Sequence, residues 1–230
     1  MSNLLFAIPA RGGSKRLPRK NIIKILSKPL IAYTIESSLK SNLCDEVYLC
    51  TEDNEIAEIA QRYGAKVFKL TKELTADDVS STTPIIELYK DLLSKGRSYD
   101  YIFNLQPTSP LRNTYDIDKS FEAFMRQSAD TLVSVTQTDP HYFHWALIKR
   151  NNSWKMYFDD LYMKERIYLP TIFRPNGAIK LAKTEILLKN KNFFGDNLGV
   201  YEMPEYRSIH IATEFDLLCA KSILVNNHKI

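Results

Sequence analysis

Short apolar runs alternate with segments whose apolar residues recur at helical spacing through most of the chain. Leu4–Ile8 predicts a buried strand, Leu30–Leu39 a helix opened by Pro29, and Glu46–Cys50 a second strand. Asp53 is placed to cap a helix over Glu55–Tyr63, in which Ile56, Ile59, Ala60 and Tyr63 share a face and which Gly64 ends. Lys66–Leu70 predicts a third strand. Thr83-Pro84 opens a helix with Ile85, Leu88, Tyr89 and Leu92 on one side, and Tyr101–Leu105, Ile117–Met125 and Thr131–Val135 read as strand, helix and strand. Gly177–Leu181 and Gly199–Met203 predict two more regular elements. A last helix is expected over Glu214–Leu224, with Thr213 as its N-cap and Asp216 at the third position of a capping box. Such alternation implies an α/β domain with a largely parallel sheet covered on both faces.

The rhythm breaks between about 137 and 175, where His141, Tyr142, Phe143, His144, Trp145, Trp154, Tyr157 and Phe158 crowd together among charges. The chain therefore reads as one domain, 1–230, with an insertion at about 137–175. Dense aromatic content suits an interface core, hence a dimerisation element and a homodimer. A lobe packed on its own domain would use the same residues, and both readings stand at this point.

Composition narrows the class. The 230 residues are 44% hydrophobic and 25% charged, enough to bury a sizeable core. A formal net charge of +4 suits a small anionic substrate and, without a basic stripe, argues against nucleic acid. Cys44, Cys50 and Cys219 form neither a metal-ligand spacing nor a disulfide framework. The apolar start has no cationic lead, and no window reaches the roughly 20 apolar residues of a membrane span. The expectation is a soluble, cytoplasmic protein in a reducing compartment.

The chemistry concentrates after the first strand, in Ala10-Arg11-Gly12-Gly13-Ser14-Lys15-Arg16-Leu17-Pro18-Arg19-Lys20-Asn21. Ligands of open α/β sheets bind at the carboxyl ends of strands. Glycines admit a close backbone approach, successive N–H groups can cradle phosphate oxygens, and the cations match a triphosphate. The spacing is that of neither a Walker loop nor G-x-G-x-x-G.

This loop resembles the opening of the acylneuraminate cytidylyltransferases, the CMP-sialic acid synthetases and their relatives acting on legionaminic and pseudaminic acids. Further matches are Leu105-Gln106-Pro107-Thr108-Ser109-Pro110-Leu111-Arg112, Lys28-Pro29-Leu30-Ile31-Ala32-Tyr33-Thr34-Ile35 and, more weakly, Asn176-Gly177-Ala178-Ile179. The resemblance implies a three-layer, Rossmann-like nucleotidyltransferase fold with a small protruding dimerisation element. It implies CTP, Mg²⁺ and an acidic nonulosonic sugar as reactants, giving a CMP-sugar and pyrophosphate for cell-surface glycans. By the same resemblance Arg11, Lys15 and Lys20 hold the triphosphate beside Gly12, Gly13, Ser14 and Asn21, while Ser81, or less closely Ser80, meets the base, Gln106 meets the sugar acid, and Asn176 is a further substrate-binding position.

Each assignment has a plainer alternative. Gln106 suits the end of a strand before Pro107, Asn21 a turn, Arg112 an ion pair at the sheet edge, and Asn176-Gly177 a turn. One departure matters: the family's Asp-Ile-Asp-Thr before the last helix, whose aspartates carry the metal, is His210-Ile211-Ala212-Thr213 here. Ala212 cannot ligate, and histidine is a poor magnesium ligand. His210 is either a base toward the sugar hydroxyl or a histidine packed at a strand end. Asp216 is a weak metal candidate that also suits a helix cap. The alternatives for function are a cytidylyltransferase for another sugar acid, such as 3-deoxy-octulosonate, and a catalytically weak nucleotide-binding homologue.

Overall fold

The computed structural model describes residues 3–76, 79–158 and 160–227. In chain order, β1 (Leu4–Pro9) is followed by two short strands, β2 (Lys24–Ile25) and β3 (Lys28–Pro29), and helix α1 (Leu30–Leu39). Next come β4 (Val47–Thr51), α2 (Asn54–Arg62), β5 (Lys66–Lys69), α3 (Thr83–Ser94), β6 (Tyr101–Leu105), α4 (Thr114–Arg126) and β7 (Thr131–Thr138). The segment that follows carries a short helix, α5 (His141–His144), and an antiparallel hairpin, β8 (Leu147–Arg150) and β9 (Ser153–Met156). The chain ends with β10 (Ile172–Lys183), α6 (Thr184–Asn190), β11 (Leu198–Glu202) and α7 (Glu214–Asn227).

Seven strands form one sheet in the order β11-β7-β10-β6-β1-β4-β5. All neighbours are parallel except β10, which runs antiparallel to both β6 and β7. The strict alternation of side chains along β1 builds the layers. Phe6 and Ile8 point to one face, where they meet Ile31 and Ile35 of α1, Ile56 of α2 and Phe124 of α4. Leu5 and Ala7 point to the other, against Ile85, Leu88 and Leu92 of α3 and Leu187 of α6. β1, in the middle of the sheet, is therefore apolar on both faces, as suits a strand between two helical layers. A third, smaller cluster packs Leu17, Ile25, Leu30 and Leu111 against Ile211 and Ala220, and so fastens α7 under the loop after β1.

The sequence expectations hold with three adjustments. Helix α4 begins at Thr114 rather than Ile117, because Asn113 and Asp116 form a reciprocal capping box (3.0 and 3.1 Å). The expected element Gly177–Leu181 is the inner part of a 12-residue strand, Ile172–Lys183, whose pairing with β7 shifts register between Pro175 and Lys180. Because β7 runs on to Thr138 and β10 starts at Ile172, the insertion narrows to 139–171. His144 is buried, but several of the aromatic residues face outward: Tyr142 is 80% exposed, Tyr168 73% and Trp154 64%. Among the described residues, no helix is long and apolar enough to cross a membrane.

Candidate active site

A cleft of about 490 Å³ opens over the carboxyl ends of β1, β4 and β6. One wall is the loop after β1, the second is the segment before α3, and the floor is closed by Gln106, Pro107 and Thr108. The first wall carries Arg11, Lys15, Arg16 and Lys20. Lys20 is half-buried, and burial, reinforced by repulsion from Arg16 and Arg11, pulls its pKa below the ordinary lysine value. Cations gathered at a partly desolvated wall raise each other's energy until an anion arrives.

The loop owes this shape to contacts on its far side. Arg19 adopts φ 54° and turns away from the cleft to bind Asp53 and Glu55 at the start of α2. Asp53 also caps that helix, accepting from the Ile56 amide (2.9 Å). The Gly12 amide donates to the Glu52 carboxylate (2.8 Å), and a Cβ on Gly12 would stand 2.8 Å from the Asp53 carboxylate. Asn21 is buried, its Nδ2 donates to the Arg11 carbonyl (2.9 Å), and its Oδ1 has no partner among the described residues. Across the cleft, Arg11 reaches the carbonyls of Thr75 and Ala76 (3.5 and 3.4 Å) and bridges the two walls.

A sequence family described as cytidylyltransferase matches residues 5–222. This chain belongs to the cytidylyltransferases. It is 36% identical to the pseudaminic acid cytidylyltransferase of Campylobacter jejuni, over 100% of this chain and 99% of that protein. It is 33% identical to the N-acylneuraminate cytidylyltransferase of Escherichia coli, over 96% of this chain and 52% of that longer protein. Among solved structures, CMP:2-keto-3-deoxy-manno-octonic acid synthetase complexed with CTP aligns with 98% of this chain and 100% of its own, with a TM-score of 0.74. At 16% identity that likeness concerns the fold.

Most of the expected site residues of this cytidylyltransferase meet in the cleft: Arg11, Ser14, Lys15, Lys20, Asn21, Ser81 and Gln106 all line it, and so does Ser80. Gln106 donates weakly to Asn104 Oδ1 (3.5 Å), which leaves its own Oε1 available as an acceptor. Gly12 and Gly13 do not line the main cleft; with Pro18 and Arg19 they border a smaller hollow that adjoins it and shares Ser14, Lys15, Thr75 and Ala76. The Gly12 amide is engaged by Glu52, so the glycine serves the close approach of loop and α2 rather than a phosphate cradle.

Asn176 departs furthest from its expected place. It is 2% exposed, accepts from Ser134 Oγ (2.5 Å) and the Ala178 amide (3.1 Å), and donates to Ser208 Oγ (2.9 Å). A side chain so fully engaged inside the protein does not face the cleft, and it fastens β7, β10 and the segment before α7 together. Arg112 makes no ion pair of the expected kind. It is wholly buried and donates to the carbonyls of Ala178 (2.7 Å) and Gln106 (3.2 Å), and burial lowers its pKa to about 10.

His210 sits one layer behind the cleft, its Nδ1 3.1 Å from Thr108 Oγ1. Burial, helped by Lys20, lowers its pKa to about 4, so the ring is neutral at pH 7. Gly177, at φ 75°, makes room for it: a Cβ there would come within 3.2 Å of the ring, and the backbone conformation itself suits only glycine without strain. The strand-end packing reading of His210 fits these contacts.

The residues in place of the family's aspartates do not make a magnesium site. Asp216 Oδ2 takes the amides of Ala212 (3.0 Å) and Thr213 (2.8 Å) and the Thr213 hydroxyl (2.8 Å), which is the predicted helix cap. Burial pushes the Asp216 carboxyl up, but these hydrogen bonds outweigh it and the net shift is downward. A neutral histidine facing Lys20 and Arg16 offers magnesium no hard oxygen donor. Among the described residues no group of three potential ligands converges anywhere. Sequence reasoning had no role for Thr108, which joins the cleft to His210 and accepts the Ile211 amide (2.8 Å), although it lies in the recognised motif. Arg16 was counted among the loop's cations but given no role.

Proposed function

We propose that this cytidylyltransferase joins CTP to a nine-carbon nonulosonic sugar acid, releasing pyrophosphate and the CMP-sugar. The anomeric hydroxyl oxygen attacks the α-phosphorus, the bond to the β-phosphate oxygen breaks, and the hydroxyl proton leaves to solvent. The observation that carries this reading is the half-buried Lys20 beside Arg16 and Arg11 at the cleft wall, a cation cluster that gains most from a polyanion. Arginine grips two oxygens at once and lysine acts as a point charge, so the wall both orients the phosphates and stabilises charge on departing pyrophosphate. The sugar class follows the relatives, whose names specify pseudaminic and N-acylneuraminic acids. Magnesium enters on the oxygens of the triphosphate it accompanies, in keeping with the absence of a group of three acidic, histidine or cysteine ligands among the described residues.

The same reading makes the protein a two-fold dimer through the insertion, whose Tyr142, Trp154, Ile167 and Tyr168 stand outward. Three unpaired thiols suit the cytoplasm. Pyrophosphate release with CTP and magnesium is the test, across pseudaminic, legionaminic, N-acetylneuraminic and octulosonic acids. Turnover on one nine-carbon acid, with CTP strongly preferred over UTP, is expected. Turnover confined to octulosonic acid would move the substrate class, and CTP binding without turnover on any acid would leave a nucleotide-binding homologue. Sedimentation as a monomer at micromolar concentration would remove the dimer.

A further inference from the structure

Beside the nucleotide cleft, Lys180 has no carboxylate partner among the described residues. Lys180 lies on β10 directly opposite Asn104 of β6, so the two side chains share a sheet face. Gln106, two residues along from Asn104, stands over that face, and its Nε2 donates to Asn104 Oδ1. Asn104 is fully buried, and its Nδ2 has no partner among the described residues. The Lys180 ammonium stands 5.6 Å from the centre of the Phe194 ring and is felt by His210 across the site. Burial lowers its pKa, and no carboxylate among the described residues offsets that.

A half-buried lysine against an aromatic ring, with neutral amides beside it, is costly in the free protein. A surface lysine would turn to water. A lysine fixed for packing would have a carboxylate, as Lys183 has in Asp130 (2.6 Å) on the same strand. We propose that Lys180 binds the carboxylate of the acidic sugar, with Gln106 and Asn104 forming the polar wall beside it. This inference rests on the functional reading above. It places the second substrate over β6 and β10, at the β6 side of the cleft, beside a nucleotide over β1 and β4, so that the two reactants lie side by side along the strand ends. Gln106 then touches the sugar through its outward Oε1, which accepts a hydroxyl or amide proton, while Lys180 takes the negative charge.

The test compares Lys180→Met and Lys180→Arg with the wild type by steady-state kinetics and thermal unfolding, using the nine-carbon acid that the wild type turns over. In Lys180→Met the KM for the acid should rise about 10- to 100-fold, the range for a lost charge-assisted hydrogen bond. The KM for CTP should hardly move. Lys180→Arg should recover most of the loss. Without substrates, Lys180→Met should unfold at the same temperature or higher, because a desolvated cation has been removed; a lysine serving only the fold would lower it. An unchanged KM for the acid in Lys180→Met would overturn the proposal. An equal rise in both KM values would also do so and would assign the lysine to the phosphates. If the wild type turned over and bound none of the acids, the functional reading itself would fall. If it turned one over and Lys180→Met matched it, only the role of Lys180 would.

Discussion

Around the loop after β1, Lys20 lies half-buried beside Arg16 and Arg11, and burial and their repulsion together raise the energy of its charged form. Around Asn176, on the other half of the sheet, Ser134, Ser208 and the Ala178 amide answer each polar atom at hydrogen-bond distance. Both regions match motifs of the family, and both would pass for binding sites from residue type alone. Their difference lies in whether the polar groups are already satisfied. A buried group with every partner supplied by the chain specifies the fold, whereas a half-buried lysine crowded by other cations raises the energy of the free protein and is relieved by an anionic ligand. Arg19 shows both behaviours within one loop: it is the cation of the run that turns away to Asp53 and Glu55 and so fixes the direction of the others.

The contrast can be broken most directly at Lys20. Lys20→Met should lower turnover about 100- to 1000-fold, the scale for removing one donor from a developing charge. Its thermal stability should not fall, since a repelled, half-buried cation is gone. A loss of stability with turnover intact would show the loop to be as structural as the Asn176 region. In that region the effect should reverse. Asn176→Ala removes the bonds to Ser134 and Ser208 and leaves the Ala178 amide without its acceptor, and should cost about 3 kcal/mol in urea unfolding, with the KM for CTP nearly unchanged. Loss of CTP affinity in a stably folded Asn176→Ala protein would return this residue to the ligand.

His210, between the two regions, should give the smallest effect, and it can be read from pH. Its folded pKa of about 4 lies below the ordinary 6.5, so between those values the unfolded chain binds more protons than the fold does. The stability it contributes is complete above about pH 6.5 and is lost as pH falls toward 4. Denaturation of wild type and His210→Gln at pH 7 and pH 4.5 should show a shallower decline in the variant. Parallel declines would mean that the ring is protonated in the fold.

Much of this was legible in the sequence because it is local. Helix α1 falls on its expected residues, and Asp53 and Thr213 cap the helices assigned to them, since a cap and its amides lie within three residues. The cationic loop and Gln106 were likewise placed by following strands. What escaped depends on distance along the chain. Asn176-Gly177 reads as a turn until Ser134 and Ser208, 42 and 32 residues away, are seen to hold it inside a bulged strand. Nothing local marks Arg112 as buried, or Lys180 as the neighbour of Asn104. The hairpin β8–β9 was hidden by its composition, for its turn rests on Asn151 at φ 53° rather than on glycine.

The position of β10 sets the order in which the molecule can be assembled. It lies between β6 and β7, yet it is made after both, with the whole insertion intervening. A chain emerging from the ribosome therefore holds one edge of β6 and the whole of β7 unpaired until Ile172–Lys183 has been synthesised, and the outer edge of β7 waits longer, for β11. Only then can the two halves of the sheet close, and long-range closure of this kind is slow and exposed to mispairing. A fragment ending before Ile172 would retain the whole cationic loop and still aggregate along those edges, so the binding wall is written early in the chain and becomes usable late.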